Sequence, residues 1–237
     1  MAMIPDTHIS KQFDAELGQA RSHVLAMAAL VEQQIVYAIE SLRRGDNALG
    51  ARVLEVEVLV NQLERTVDEL CTSVIARRQP NANDLRLVMT LLKITTDIER
   101  IGDEAKKIAM FARDLRGLGR PGLPRLPEIT AMAGLVRDML RQALDAFERM
   151  DVEFASAIKQ RDLEVDRHFQ SILRELLTYM IEDPRTISSA IDALFVAKSL
   201  ERIGDHAKNI TEYIVYMIKG KDVRHVTLDE FEMAAKS

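Results

Sequence analysis

The chain has no Trp, one Cys and six Pro in 237 residues, and aromatic residues make up only 5% of it. A lone Cys71 closes no internal disulfide, which excludes a disulfide-framed fold and suits a reducing compartment. Ten Gly without a three-residue period exclude a collagen-like chain. Neither charge sign dominates: 32 Lys and Arg against 37 Asp and Glu leave −5. No basic footprint for nucleic acid is therefore expected. No run approaches the ~18 consecutive apolar residues of a membrane helix. Met1–Glu16 lacks a basic segment followed by an apolar stretch, so a secretory signal is not expected either. What is present is 47% hydrophobic and 29% charged residues, enough apolar content for a packed core. Few aromatics, eleven Met and abundant Leu, Ala, Glu, Lys and Arg favour helix over sheet. The expectation is an all-α globular protein of the cytoplasm.

Phe13, Leu17, Ala20, Val24, Ala28, Val31, Ile35, Ala38 and Leu42 recur at steps of three and four. That spacing draws an apolar stripe down a helix of about thirty residues, roughly 45 Å long. The turn Arg44-Gly45-Asp46-Asn47 follows, then a second stripe through Val53, Val56, Val60, Leu63, Val67, Leu70 and Val74. Gln79-Pro80-Asn81-Ala82-Asn83-Asp84 stops it, with Asn83 or Asp84 placed to cap the next helix. Leu87, Leu91, Ile94, Ile98, Ile101, Ala105 and Ile108 make the third stripe. Three long helices joined by short turns form an antiparallel three-helix bundle. Residues 9–116 are expected to be that bundle.

The segment Arg116-Gly117-Leu118-Gly119-Arg120-Pro121-Gly122-Leu123-Pro124-Arg125-Leu126-Pro127 holds three of the six Pro and three of the ten Gly. It marks a linker at 117–127. The helical pattern then restarts, with turns at Met150-Asp151 and Glu182-Asp183-Pro184 and a last long helix from Ile187 to Ile218. Residues 128–220 read as a second three-helix bundle and 221–237 as a C-terminal tail.

One text occurs in both halves. Glu99-Arg100-Ile101-Gly102-Asp103-Glu104-Ala105-Lys106-Lys107-Ile108 matches Glu201-Arg202-Ile203-Gly204-Asp205-His206-Ala207-Lys208-Asn209-Ile210 in eight of ten positions at an offset of 102. The upstream helix pair aligns at an offset of 105, which sets Glu57 on Asp162. The fold expected is two tandem, pseudo-symmetric three-helix bundles.

At 100° per residue, Ile94, Ile98, Ile101, Ala105 and Ile108 share one side of their helix. Glu99 and Asp103 fall on nearly the opposite side, one turn apart, and Glu201 and Asp205 repeat the arrangement. Gly102 and Gly204 sit inside helices, where Gly costs ~1 kcal/mol against Ala. Like charges at i,i+4 cost a further ~0.2–0.5 kcal/mol. A single such pair is ordinary solvated helix surface. Two copies at matching positions leave three readings: a solvated helix face, close packing of a partner helix, or a cation held by carboxylates. Oxygen ligands suit hard cations such as Mg, Ca or Mn and also hold Fe. Two carboxylates are too few alone, and the preceding helices offer Glu57, Asn61 and Glu64 in the first half and Asp162 and Asp166 in the second. His206 and His168 have no ligand-spaced partners and read as packing or surface residues, and Cys71 as a small buried hydrophobe. No phosphate loop, nucleophile elbow or zinc spacing occurs.

The doubled Glu-Arg-Ile-Gly-Asp, the turn Gln79-Pro80-Asn81-Ala82-Asn83-Asp84-Leu85-Arg86, the phrase Glu182-Asp183-Pro184 and the tail Gly220-Lys221-Asp222-Val223-Arg224-His225 together resemble the PhoU family of bacterial phosphate-signalling regulators. The likeness covers about residues 8–230. It implies metal clusters on the two acidic faces: Glu99, Asp103, Glu57 and Asn61 on the first, Glu201, Asp205, Asp162 and Asp166 on the second. Because Asn61 is neutral where Asp166 is charged, the first face is expected to hold metal less strongly or with a different ligand count. The resemblance further implies a non-enzymatic adaptor and negative regulator of phosphate signalling and uptake. Its partners would be the ATPase subunit of a phosphate ABC transporter and a membrane sensor histidine kinase, with the membrane reached only through them. A homodimer is the expected assembly, although no apolar stripe marks its interface. Arg77, Arg78 and Arg86 near one bundle end, with Arg116, Arg120 and Arg125 in the linker, read as ordinary solvated charge or, alternatively, as a surface for acidic partners or anionic lipid.

Two other classes share the helical pattern. A carboxylate-bridged di-iron enzyme wants Glu-x-x-His motifs facing the bundle core, and neither Glu99 nor Glu201 has a His at i+3. A purely structural helical spacer has no use for a duplicated Glu-Arg-Ile-Gly-Asp.

Overall fold

The computed structural model describes residues 11–116, 127–224 and 226–236. They form α1 (Lys11–Arg44), α2 (Asn47–Arg78), α3 (Ala82–Arg116), α4 (Pro127–Arg149), α5 (Ala155–Glu182), a short 3-10 turn (Pro184–Thr186), α6 (Ile187–Lys219) and α7 (Leu228–Lys236). No strand occurs among the described residues. The Gly- and Pro-rich segment expected as the linker falls at 117–126, outside the described residues. Its last expected residue, Pro127, is instead the first of α4, where a fixed φ and a missing N–H are tolerated.

Helix ends follow local chemistry. Asp46 caps α2 by accepting from the Ala48 N–H at 2.9 Å. At α3 the cap is Asn81, not Asn83 or Asp84: its Oδ1 accepts from both of those N–H groups at 3.0 and 3.2 Å. Pro80 has already ended α2, so Asn81 is the first residue free to turn back on a new helix. Gly220 closes α6 in the left-handed region at φ 70°.

Each of α1, α2 and α3 packs on the other two, and α4, α5 and α6 repeat that pattern. The apolar stripes are the cores: Val24, Val31 and Ile35 of α1 bury against Val53, Val60 and Val67 of α2 and Ile94, Ile98 and Ile101 of α3. In α2 the fully buried line runs through Val53, Val60, Val67 and Cys71, while Val56, Leu63 and Leu70 flank it half-buried. Among the described residues one helix, α1, is long and apolar enough on average to cross a membrane. Its apolar side is the wall of the first core, which explains that composition.

The bundles join mainly through α3 and α6, with a smaller seam between α1 and α4. α3 and α6 run antiparallel: Lys93 lies over the Tyr213 ring, Asp97 meets His206, and Phe111 stacks on Phe195 with centroids 5.1 Å apart. At the second seam Arg21 of α1 donates to the Phe147 and Glu148 carbonyls that end α4.

The region expected as a tail contains a helix. α7 is opened by a capping box in which Glu230 accepts from the Thr227 N–H at 2.9 Å and the Glu230 N–H donates to Thr227 Oγ1 at 3.3 Å. Phe231 is buried, and Lys159 of α5 sits over its ring while donating to the Val226 carbonyl at 2.8 Å. The pattern Thr227-x-x-Glu230 before an apolar residue carried that signal in the sequence.

Candidate functional site

The first acidic face lies in the groove between α2 and α3. Gly102 exposes bare backbone toward α1, and Gln34 fills the space: its Nε2 donates to Glu57 Oε2 at 3.0 Å and to the Val53 carbonyl at 3.2 Å. Glu57 is buried, and its other oxygen lies 3.5 Å from Lys106 Nζ, which is 3.7 Å from Asp103. Burial, then Asp103, Glu64 and Glu57, push the Glu99 carboxyl above its ordinary range. Glu64 rises in the same way, through burial and then chiefly through Asp68, with Asp103 and Glu57 adding to it. Gln34 Oε1 and Asn61 Oδ1 are buried without a hydrogen-bond partner. Four carboxylates and two orphaned amide oxygens meet one ammonium within this groove, with the Arg65 and Arg100 guanidiniums acting on Glu64 and Glu99 from its border, which leaves the face negative.

The second face, between α5 and α6, uses the same positions differently. Gln34 aligns with Met139, Glu64 with Phe169 and Asn61 with Asp166. Lys208 donates to Asp162 at 2.6 Å and to Asp205 at 2.9 Å, and Lys198 reaches Glu201 at 2.6 Å. Burial works against the Lys208 ammonium, but the two carboxylates override it and hold its pKa above the usual value. Burial raises Asp162, with Lys208 offsetting part of the shift. Here the cation between the helices is a lysine of the chain itself.

The acidic pairs therefore do not simply point outward. Asp103 and Asp205 are about half exposed, at 43% and 48% of their side chains, whereas Glu201 is at 16%. Glu99 is half-buried. A helix wheel drawn for one helix cannot see its neighbour: α2 and α5 close over the flank on which Glu99 and Glu201 lie. Asp162 joins this groove on the second face, while Asp166 is exposed at its margin. Among the described residues no three His, Cys, Asp or Glu side chains converge as a metal-binding group. The donor chemistry of the first face, with its unpartnered amide oxygens, fits a hard cation. On both faces a lysine stands between the carboxylates that a cation would need, loosely for Lys106 at 3.5 and 3.7 Å from Glu57 and Asp103 and tightly for Lys208 at 2.6 and 2.9 Å from Asp162 and Asp205.

Both faces reach one cleft at the centre of the α3–α6 seam. Asp103 and Asp205 line it, and its volume is about 500 Å³. On one side Glu104, buried, accepts from Lys107 at 2.9 Å, from Arg202 at 3.2 Å and from Ser199. Burial opposes its charge, yet those donors hold its carboxyl below the ordinary range. On the other side His206 Nδ1 lies 2.5 Å from the buried Asp97, which also accepts from Tyr213. Burial and then Asp97 push the Tyr213 phenol up to about 12. Asp97 aligns with Ser199 and Glu104 with His206, so the two contacts are mates about a pseudo-two-fold axis between Arg100 and Ile101.

Other sequence candidates are accounted for locally. Burial and Asp68 raise the Cys71 thiol to about 11, which makes it an inert core residue. Arg77 is bonded to Ser73 Oγ, and Arg86 lies over the Tyr216 ring. Arg120 and Arg125 lie outside the described residues, and the side chains of Arg78 and Arg116 are outside them as well.

A duplicated three-helix bundle with a matched acidic groove in each copy defines an all-helical class built by internal repetition. The PhoU domain family model matches this chain twice, at residues 24–112 and 129–214. The chain belongs to the PhoU family. A Pseudomonas putida protein named phosphate-specific transport system accessory protein PhoU homolog is 49% identical over 222 residues, covering 93% of this chain and 86% of that protein. The phosphate-specific transport system accessory protein PhoU of Escherichia coli is 45% identical, over 95% of this chain and 92% of its own. The crystal structure of PhoU from Pseudomonas aeruginosa superposes with a TM-score of 0.85 at 46% identity, covering 89% of this chain and all of that one.

Proposed function

We propose that this protein is an accessory regulator of phosphate-specific transport, an adaptor with no chemistry of its own that restrains uptake and signalling when phosphate is plentiful. The observation that carries the reading is its near full-length similarity to proteins named as accessories of that transport system. Its partners in this reading are the transporter's ATPase subunit and a membrane sensor histidine kinase. It works from the cytoplasm, as a homodimer, and reaches the membrane only through those partners. An adaptor shifts a partner's equilibrium by binding one of its states more tightly, and ~2.7 kcal/mol of preference gives a hundredfold shift. Rigid paired bundles suit that work because they present a fixed face.

A divalent or trivalent metal ion, Fe, Mn or Mg, belongs to the same reading. Glu57, Asn61, Glu99 and Asp103 would hold it on the first face, where it would supply positive charge to a groove short of it. The second face, with Glu201, Asp205, Asp162 and Asp166, takes a cation only when Lys208 withdraws. That reverses the order of strength expected from Asn61 alone, because Phe169 in place of Glu64 cancels the carboxylate gained at Asp166, and the second face holds its lysine more tightly and adds Lys198.

A pull-down with the full chain from cells grown in high phosphate tests the reading. Recovery of the transporter ATPase and the sensor kinase supports it. Recovery of neither, together with a monomeric protein by sedimentation, would overturn it.

A further inference from the structure

The internal repeat is broken at one place, and the break leaves a cation without its anion. On the Glu104 side of the central cleft, Arg202 and Lys107 converge on a buried carboxylate. The mates of Arg202, Lys107 and Glu104 are Arg100, Asn209 and His206, which line the same cleft. No carboxylate stands where His206 is, since that ring is turned onto Asp97. Arg100 has no acid within ion-pair distance among the described residues, although it borders a groove rich in carboxylates. Glu99 feels its charge without pairing with it, and the acids other than Glu104 that line the cleft, Asp103 and Asp205, have ammonium partners of their own in Lys106 and Lys208.

We propose that the half-cleft of Arg100, His206 and Asn209 binds one free oxyanion, taking the place that the Glu104 carboxylate fills in the other half. The chemistry is that of a planar guanidinium, which pairs two N–H groups with two oxygens of a phosphate or carboxylate. The Asn209 amide adds a neutral donor where the mate has an ammonium. A site of this kind lies between the bundles, so an occupied half-cleft ties α3 to α6 as Glu104 does on its own side. The inference is independent of any metal on the acidic faces and of the identity of the partners.

The test is a titration of the full chain with inorganic phosphate and, separately, with acetate, followed by NMR of the Arg100 side-chain N–H and the Asn209 amide. Saturable shifts with either anion support the proposal, and the two arms tell a tetrahedral from a planar preference. Arg100→Gln, at an exposed position, is expected to weaken binding at least tenfold with no loss of fold. The paired substitution Asp97→Ser with His206→Glu copies the Ser199–Glu104 arrangement, fills the half-cleft from within and is expected to abolish binding. Two results would overturn the proposal: no saturable shift up to about 20 mM of either anion, where even a ~1 mM Kd would be filled, or unchanged binding by Arg100→Gln.

Discussion

Gln34 and Gly102 are fitted to each other: a Cβ on Gly102 would stand 2.8 Å from Gln34 Oε1. The side chain that would have to give way is fully buried and tied to Glu57 and the Val53 carbonyl. In the second repeat the atoms nearest to a Cβ on Gly204 belong to Val165 and Val136, at 3.4 Å and beyond. Gly204→Ala is therefore expected to be neutral or stabilising by up to ~1 kcal/mol, the helix propensity gain. Gly102→Ala is expected to fall ~1–2 kcal/mol below it, because a hydrogen bond to a buried carboxylate is disturbed. Urea unfolding of the two variants checks the difference.

Glu99 and Glu64 titrate above the ordinary carboxyl value when folded. A group that holds its proton more tightly in the folded state weakens the fold once it ionises. The penalty is present at neutral pH and fades as pH falls through the raised value toward 4.5. Glu99→Gln is expected to be more stable than the parent at pH 7, and the advantage is expected to vanish below about pH 4.5. A set of thermal melts across that range measures it.

Glu104 has the opposite sign. Its carboxyl sits below the ordinary value through Lys107, Ser199 and Arg202, so its contribution is full above pH 4.5 and is lost as pH drops through the folded value. Glu104→Ala leaves Arg202 and Lys107 without their anion at the seam. A loss of ~1–3 kcal/mol at pH 7 is expected, shrinking in acid. Denaturant titrations at two pH values test both the size and the sign.

Lys208 is the resident cation of the second face. Lys208→Ala leaves Asp162 half-buried and unpaired, with an expected loss of ~1–3 kcal/mol. Added Mn or Mg is expected to restore part of that stability in the variant more than in the parent. Equal shifts in both proteins would contradict the role given to Lys208.

The repeat and the helix order were legible in the sequence because each rests on short-range periodicity. Val31, Ile98 and Ile203 announce a core at fixed steps, and the shared Glu-Arg-Ile-Gly-Asp sets the halves in register. What was not legible depends on a second helix. Gln34 is one polar residue beside an apolar stripe, and only the groove shows that it reaches Glu57. The Lys208 bridge needs α5 beside α6. Yet the seam had left a trace: the residues at the two positions where the ten-residue texts disagree, Glu104 and His206, Lys107 and Asn209, all line the cleft.

The most direct test of the adaptor reading is a phosphate-regulated reporter in a deletion strain grown with ample phosphate. Deletion is expected to derepress the reporter, and the wild-type chain to silence it again. A variant carrying Glu99→Gln, Asp103→Asn, Glu201→Gln and Asp205→Asn, shown to be folded, is expected to leave it on. Full silencing by that variant, or no derepression on deletion, would contradict the account.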